Sequence, residues 1–405
     1  MSMSHTIQIY AELLSNIRKI SVGCDLLTPS SSSTKATISP SGRVLTVCHD
    51  GAENTIVLPG RVASINSLPV LKLGSKNLSW RLPLAETPGH HAFSASDEQS
   101  VPWSASDLQL GASISCRTCG STIVEPGDIK VWKDLPSENW AEMMEFWHCH
   151  KPSDHGHGHE HNDNLTSTKA YGASSRISAQ RGVGFVDLTS FLIHDRDISH
   201  SNITFSPDSK DSIENEEYQN SETENSPVFC SCCKMQLGVS KDQDVSFSLF
   251  KWQVLVEVEE QANRSPNAPP SLFHCISAML LATMSRSGSS RSIILPMTSK
   301  DQVFKDAPSL FHLWVLNGNI TFSSTWETGS PLKAVKLFWC MISQNEADKL
   351  LDSMTSNVQD ITLPEDAIER LSGILTETYN FLPKSDRQLK EWRVGLLEKW
   401  DGKGA

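Results

Sequence analysis

The chain has little that would suit it to nucleic acid, membranes or nucleotides. No cluster of lysine and arginine stands out against a formal charge of −12, from 47 acidic and 35 basic residues. Phosphate backbones and anionic lipid are therefore repelled rather than attracted. The longest apolar run, Leu272 to Met284, is interrupted by His274 and Ser277 and falls short of the roughly 18 residues of a membrane span. A Gly-x-Ser-x-Gly elbow, a phosphate loop and paired glycines after a strand are all absent, which argues against hydrolase, nucleotide and dinucleotide chemistry. Cysteine is sparse: ten in 405 residues do not make a disulfide scaffold. The opening MSMSHTIQIYAELLSNIRKI lacks the charged-then-apolar layout of a signal peptide. Reduced thiols, in cytoplasm or nucleus, are the expectation. What is present is an ordinary globular composition, 38% hydrophobic and 20% charged, enough for two or three packed domains.

Turn signals and apolar runs divide the chain. Residues 1–115 read as a β-rich domain, a sandwich or open barrel, because VLTVCHD, NTIVLPG and PVLKLGS are apolar or β-branched runs separated by Gly, Asn and Pro. Residues 116–152 hold a cysteine knuckle and an amphipathic helix, capped by Ser137, with Trp140, Met143, Met144 and Trp147 at helical spacing. A His-rich insertion at 153–183 and an acidic one at 206–227 are too polar to offset chain entropy and are expected to be disordered. Between them, 184–205 reads as a returning strand. The remainder, 228–405, mixes strands with a buried helix at SLFHCISAMLLATM and closes on three helices. The first closing helix starts at a Ser343/Glu346 capping box, and the second at Thr362/Glu365 with Pro364. The third presents Leu389, Trp392, Leu396 and Trp400 on one face. The fold class is α+β.

Cys116 and Cys119 in CRTCG, with Cys230 and Cys233 in CSCCKMQLG, form two C-x2-C knuckles. That spacing lets one tight turn aim two thiolates at one metal, and two knuckles complete a tetrahedral four-sulfur zinc site. The 110 residues between Cys119 and Cys230 exceed the separation of about 15 to 20 in common zinc ribbons. Two unrelated thiol pairs are the alternative, and Cys232 is an alternative ligand to Cys230 or Cys233. A closed four-sulfur shell leaves no open position for substrate, so the zinc would be structural. It would also fix how the N-terminal β region meets the C-terminal half.

His148, Cys149 and His150 end the helix at 140–147, and His155, His157, His159 and His161 follow. The HGHGHEH run reads as a flexible tract with loose metal affinity. Cys149 is either presented outward from the helix end or tucked under Trp147. Cys24, Cys48 and Cys275 read as core. Cys340 falls at a strand-to-helix turn, where a helix N-terminus lowers a thiol's pKa, or is structural within its apolar strand.

CRTCG, LPSENWAEMMEFWHCHKP, VFCSCCKMQLG and ITLPEDAIERLSGIL with NFLPKSDRQLKEWRVGLL together resemble the HECT-like E3 ubiquitin ligase family, also described as ubiquitin-conjugating-enzyme-binding proteins. The resemblance runs from about Ser21 to Trp400 and makes 228–405 the HECT-like region. It implies an enzyme that accepts ubiquitin from a ubiquitin-conjugating enzyme (E2) and transfers it to substrate proteins. A HECT ligase does so through a thioester on its own cysteine. Conventional members place that cysteine in a Thr-Cys-Phe-like motif near the C-terminus. No cysteine follows Cys340 here, so Cys340 is the nearest candidate, with a partner-scaffold mechanism as its rival. The family also implies a role in pre-mRNA 3′-end cleavage. There the segment Leu135 to Pro152 resembles a motif that occupies the metal site of the cleavage and polyadenylation endonuclease. On that alternative Cys149, with Trp140, Trp147, His148 and His150 around it, would ligate a partner's zinc and block a nuclease.

Overall fold

The computed structural model describes residues 7–63, 68–69, 73–85, 101–135, 178–206, 225–241, 245–257, 268–297, 309–353 and 355–401. The chain forms two compact units, Met1–Pro102 with Pro270–Ala405, and Trp103–Pro269. The segment boundaries expected at 115 and 228 both fall inside the second unit. The α+β class stands, strand-rich with three α-helices among the described residues.

In the first unit a nine-stranded sheet joins the two ends of the sequence. Its path runs Gln388–Leu389, Trp392–Glu398, Glu327–Ile342, Leu310–Ser324, Ile7–Leu14, Lys19–Leu26 and Asn77–Pro83. Leu310–Ser324 is long enough to serve two partners along one edge. Tyr10 pairs with Ser324 at one end, and Arg291–Pro296 pairs with residues 311–314 at the other. Val358–Leu363 then adds in parallel to Arg291–Pro296. Alternating burial in Asn77–Pro83 and in Val44–His49 is the period-2 pattern that the sequence shows there. It lets a meander of Lys35–Ile38, Val44–His49 and Ala52–Val57 close a core of Ile9, Ile20, Val22, Leu45, Val47, Leu58 and Trp80, in agreement with the β-rich N-terminal reading.

The helices of this unit show where local signals suffice and where they mislead. Leu272–Ser287 is the expected buried helix; Ser271 and His274 cap it reciprocally, and Gly288 ends it at φ +67°. Gln344–Leu351 begins at the expected Ser343/Glu346 box. Glu365–Tyr379 forms too, but Thr362 does not cap it. Thr362 belongs to strand Val358–Leu363, and the helix starts from Pro364 without a side-chain cap. The expected third closing helix is not one. Gln388–Leu389 and Trp392–Glu398 are a hairpin turning at Lys390, φ +55°. Residues 394–397 are all buried, so the strand is covered on both faces and shows no alternation. Trp392, Leu396 and Trp400 imitate a helical stripe for that reason.

The second unit holds a seven-stranded sheet. Its order is Ile203–Thr204, Asn225–Cys230, Gln236–Lys241, Ser246–Phe250, Ser190–His194, Val183–Val186 and Val131–Asp134, with only the last pairing parallel. A smaller sheet pairs Val254–Glu257 with Ser113–Cys116, and that strand with Thr122–Val124. The segment 184–205 is not one strand but a hairpin, Val183–Val186 and Ser190–His194. Lys251 is fully buried; its ammonium donates to the Trp103 carbonyl at 3.1 Å and lies 5.5 Å from the Phe191 ring centre.

Candidate functional site

Both cysteine knuckles lie at strand ends of the second unit. Cys116 ends Ser113–Cys116, and the chain turns back through Gly120, φ +75°, so that the Gly120 amide reaches the Cys116 carbonyl at 2.8 Å and the Cys116 amide reaches the Ser121 carbonyl at 2.8 Å. Cys230 ends Asn225–Cys230, and its turn repeats the pattern. The Lys234 amide donates to the Cys230 carbonyl at 3.0 Å, the Cys230 amide donates to the Met235 carbonyl at 2.9 Å, and Lys234 takes φ +61°. Each turn aims amides at sulfur: Thr118 and Cys119 at Cys116, Ser121 at Cys119, and Met235 at Cys233.

The four sulfurs Cys116, Cys119, Cys230 and Cys233 lie within 4.8 Å of one another. Cys116 and Cys233 stand 3.6 Å apart, as do Cys119 and Cys230. Tetrahedral ligands at a zinc–sulfur bond of about 2.3 Å are separated by about 3.8 Å, whereas a disulfide needs about 2.05 Å. The spacing fits a metal and not a pair of cross-links. Burial pushes the Cys116 thiol up to about 12 and raises Cys233, while the Ser121 amide first of all brings Cys119 down to about 7. A bound divalent ion would hold all four as thiolates, with the amides stabilising the charge. Cys232, exposed, lies outside the cluster, and its thiol is raised chiefly by a side-chain hydrogen bond with Cys119. The four residues expected to bind together are thus brought together. Their 110-residue separation is spanned by pairing within one unit. The proposed link between the N-terminal and C-terminal parts is made elsewhere, by the main-chain pairing of Tyr10 with Ser324.

Cys340 sits not in a turn but inside strand Glu327–Ile342, half-buried. Its thiol is not lowered by a helix N-terminus; burial, then Glu391 and Glu346, push it up to about 11. Directly opposite is His312, 5% exposed, with Nε2 buried and without a hydrogen-bond partner. Burial, and then Arg291, bring this imidazole down to about 4. Around the pair lies an aromatic cluster. Trp392 meets His312 edge-on at 4.9 Å, Trp314 at 5.9 Å and Phe338 at 6.3 Å; Trp314 and Phe338 are 5.6 Å apart. The Arg291 guanidinium lies 4.7 Å from the Trp314 ring centre. Sequence reasoning missed this grouping because its members come from four strands; the only local sign was the density of aromatics in LFHLW and KLFWC.

Cys24 and Cys275 are buried, as core positions should be, whereas Cys48 is only partly buried and donates to Glu53 at 3.4 Å. Trp140, Trp147, His148, Cys149, His150, the histidines 155–161 and most of the acidic insertion lie outside the described residues.

The chain belongs to the HECT-like ubiquitin-conjugating enzyme (E2)-binding family, whose model matches residues 12–394. Its relatives carry the resemblance further. A Homo sapiens protein named as an E3 ubiquitin-protein ligase is 22% identical over 318 residues, covering 73% of this chain and 74% of the relative. An uncharacterized Schizosaccharomyces pombe protein is 23% identical over 309 residues, covering 75% and 79%. One from Saccharomyces cerevisiae is 22% identical over 345 residues, covering 84% and 85%. No solved structure matches the chain.

Proposed function

We propose that this chain is an E3 ubiquitin-protein ligase that binds a ubiquitin-conjugating enzyme, accepts ubiquitin from it and promotes transfer to substrate lysines, with zinc held structurally by Cys116, Cys119, Cys230 and Cys233. The observation that carries the reading is the family match over residues 12–394, with ligase-named relatives covering 70% or more of the chain. The zinc would supply no reactive position; the four cysteines close its shell and pin the two knuckles of the second unit. Cys340 is the candidate thioester cysteine, the last in the chain. Its thiol is held near 11 in the free chain, so acceptance requires that the surroundings of Cys340 change when the conjugating enzyme delivers ubiquitin.

The test is reconstitution with ubiquitin-activating enzyme, a panel of conjugating enzymes and ubiquitin. A thiol-reducible ubiquitin adduct on this chain, lost in Cys340→Ala, is the expected result. Ligation that persists in Cys340→Ala without an adduct would replace the thioester with direct transfer from the conjugating enzyme. Absence of both binding and ligation with every conjugating enzyme would end the ligase reading. The endonuclease-binding alternative rests on Cys149 and its neighbours, and no described residue bears on it.

A further inference from the structure

We propose that Cys340, His312 and Trp392 form a masked thiol–imidazole site, in which the Trp392 indole closes over the thiol in the free chain and His312 receives the thiol's proton when the site opens. The proposal rests on the ligase reading for its acyl donor, a ubiquitin thioester, but its geometry stands by itself.

Strand Glu327–Ile342 lies between Leu310–Ser324 and Trp392–Glu398. Adjacent strands are about 4.8 Å apart, so the two outer strands are separated by roughly 9 to 10 Å. Cys340 is paired with His312 on one side. On the other, the pairing of Trp339 with Arg393 puts Trp392 one step further, beside Cys340. Residues level with one another across a sheet point to the same face. The ring centres of His312 and Trp392 nevertheless meet at 4.9 Å. Two side chains rooted on the outer strands reach that distance only by leaning together over the middle strand, above the short side chain of Cys340. Trp392 extends over the same strand to Phe338 and across it to Trp314, so the indole spans the site like a strap.

Two features mark this as more than packing. Trp314, Phe338, Cys340 and Trp392 are only half-buried, so the cluster is at the surface and opens by side-chain rotation without unfolding the sheet. Within it, the His312 Nε2 is buried with no hydrogen-bond partner. An unmet polar group of this kind is unfavourable when buried, and the need is met when a proton or an acyl carbonyl arrives. Burial heads the causes that raise Cys340 and lower His312, and burial is what opening removes. The remaining charged neighbours are Glu391 and Glu346 on the thiol and Arg291 on the imidazole.

In the open site the Cys340 proton passes to the imidazole, and the Cys340 sulfur bonds to the carbonyl carbon of the ubiquitin thioester. The bond from that carbon to the conjugating enzyme's sulfur breaks, and the departing sulfur takes the proton from His312. No oxidant or further reactant is needed. Cys340 alone becomes acylated, His312 is the general base that carries its proton, and Trp392 is a positioning residue.

The experiment is alkylation of the full chain by iodoacetamide across about pH 6 to 10, with the rate at Cys340 read by peptide mass spectrometry. Wild type and Trp392→Phe, which keeps a ring over the thiol, should label slowly. Trp392→Ala should label roughly tenfold faster or more, since each unit by which a thiol falls towards 8.5 raises its thiolate fraction tenfold. Adding His312→Gln to Trp392→Ala should slow labelling near neutral pH and move the profile to higher pH. Cys24 and Cys275, both buried, report on folding and must stay unlabelled. If Trp392→Ala exposes them, the smaller change Trp392→Leu, which also removes the indole, supplies the opened site instead. A Cys340 rate unchanged by removing the Trp392 indole, or a pH profile indifferent to His312→Gln, overturns the proposal. Accelerated labelling with no ubiquitin adduct on Cys340 keeps the masked site and removes the ligase thioester, so the two failures are separable.

Discussion

If the four cysteines hold the proposed zinc, removing it should lower the melting transition of the second unit. The second unit, residues 103–269, carries all four clustered sulfurs. On that reading, chelation would take away a ligand bound by the folded form of that unit. The stabilisation lost is RT ln(1 + [Zn]/Kd), about 4 kcal/mol if free zinc falls from a thousand times Kd to below it. At roughly 2–4 °C per kcal/mol for a unit of this size, the melting transition should drop by about 8–16 °C. Cys116→Ser should do the same without chelator. It removes a fully buried ligand, 0% exposed, and puts a hydroxyl, a poor zinc ligand, beside Cys233. The assay is calorimetry with and without chelator, paired with hydrogen exchange to assign the loss. Amides of Asn225–Cys230 and Ser113–Cys116 should lose protection, while those of Arg291–Pro296 should keep it. Metal analysis should give one zinc per chain, retained in Cys232→Ser and after deletion of residues 155–161. A transition indifferent to chelator, or zinc retained in Cys116→Ser, would refute the assignment.

Gly395→Ala should destabilise the first unit by about 1–3 kcal/mol, because a β-carbon there would stand 2.6 Å from Leu375 Cδ2 and 3.2 Å from the Trp339 ring; denaturant unfolding measures it, and no change would mean the helix Glu365–Tyr379 yields freely. His312 is held neutral, its pKa brought from 6.5 to about 4 by burial and Arg291, so the unfolded chain binds the extra proton. Its contribution is complete above about pH 6.5 and is lost as pH falls towards 4. The upper bound is about 3 kcal/mol. His312→Phe should flatten the stability curve in that window, and an unchanged slope would count against it. Ser343→Ala removes the side-chain half of the reciprocal cap with Glu346 and should cost about 1 kcal/mol; Glu346, whose carboxyl is lowered first by the Ser343 amide and then by the Ser343 hydroxyl, keeps the first and loses the second, so it should titrate somewhat closer to its ordinary value by NMR.

Much of this protein is readable without coordinates wherever the cause is local. C-x2-C spacing followed by Gly120 is a property of one turn, so both knuckles are visible in the sequence. The strand run at Val44–His49, buried at every second residue, and the capping box at Ser343 are equally short-range. Reading failed where burial on both faces erased the period, as in Trp392–Glu398. It failed also where a plausible cap, Thr362, was already committed to a strand.

Composition, charge and spacing were enough to establish an α+β chain without basic patches and with four cysteines suited to one metal. Those properties depend on residue identity and on contacts a few positions apart. That the N-terminal strand pairs with residues 321–324, that the knuckles share one unit, and that His312, Cys340 and Trp392 converge on one sheet face are matters of which strands become neighbours. Strand order is set by the packing of whole faces, summed over distant segments, and no short window of sequence contains it.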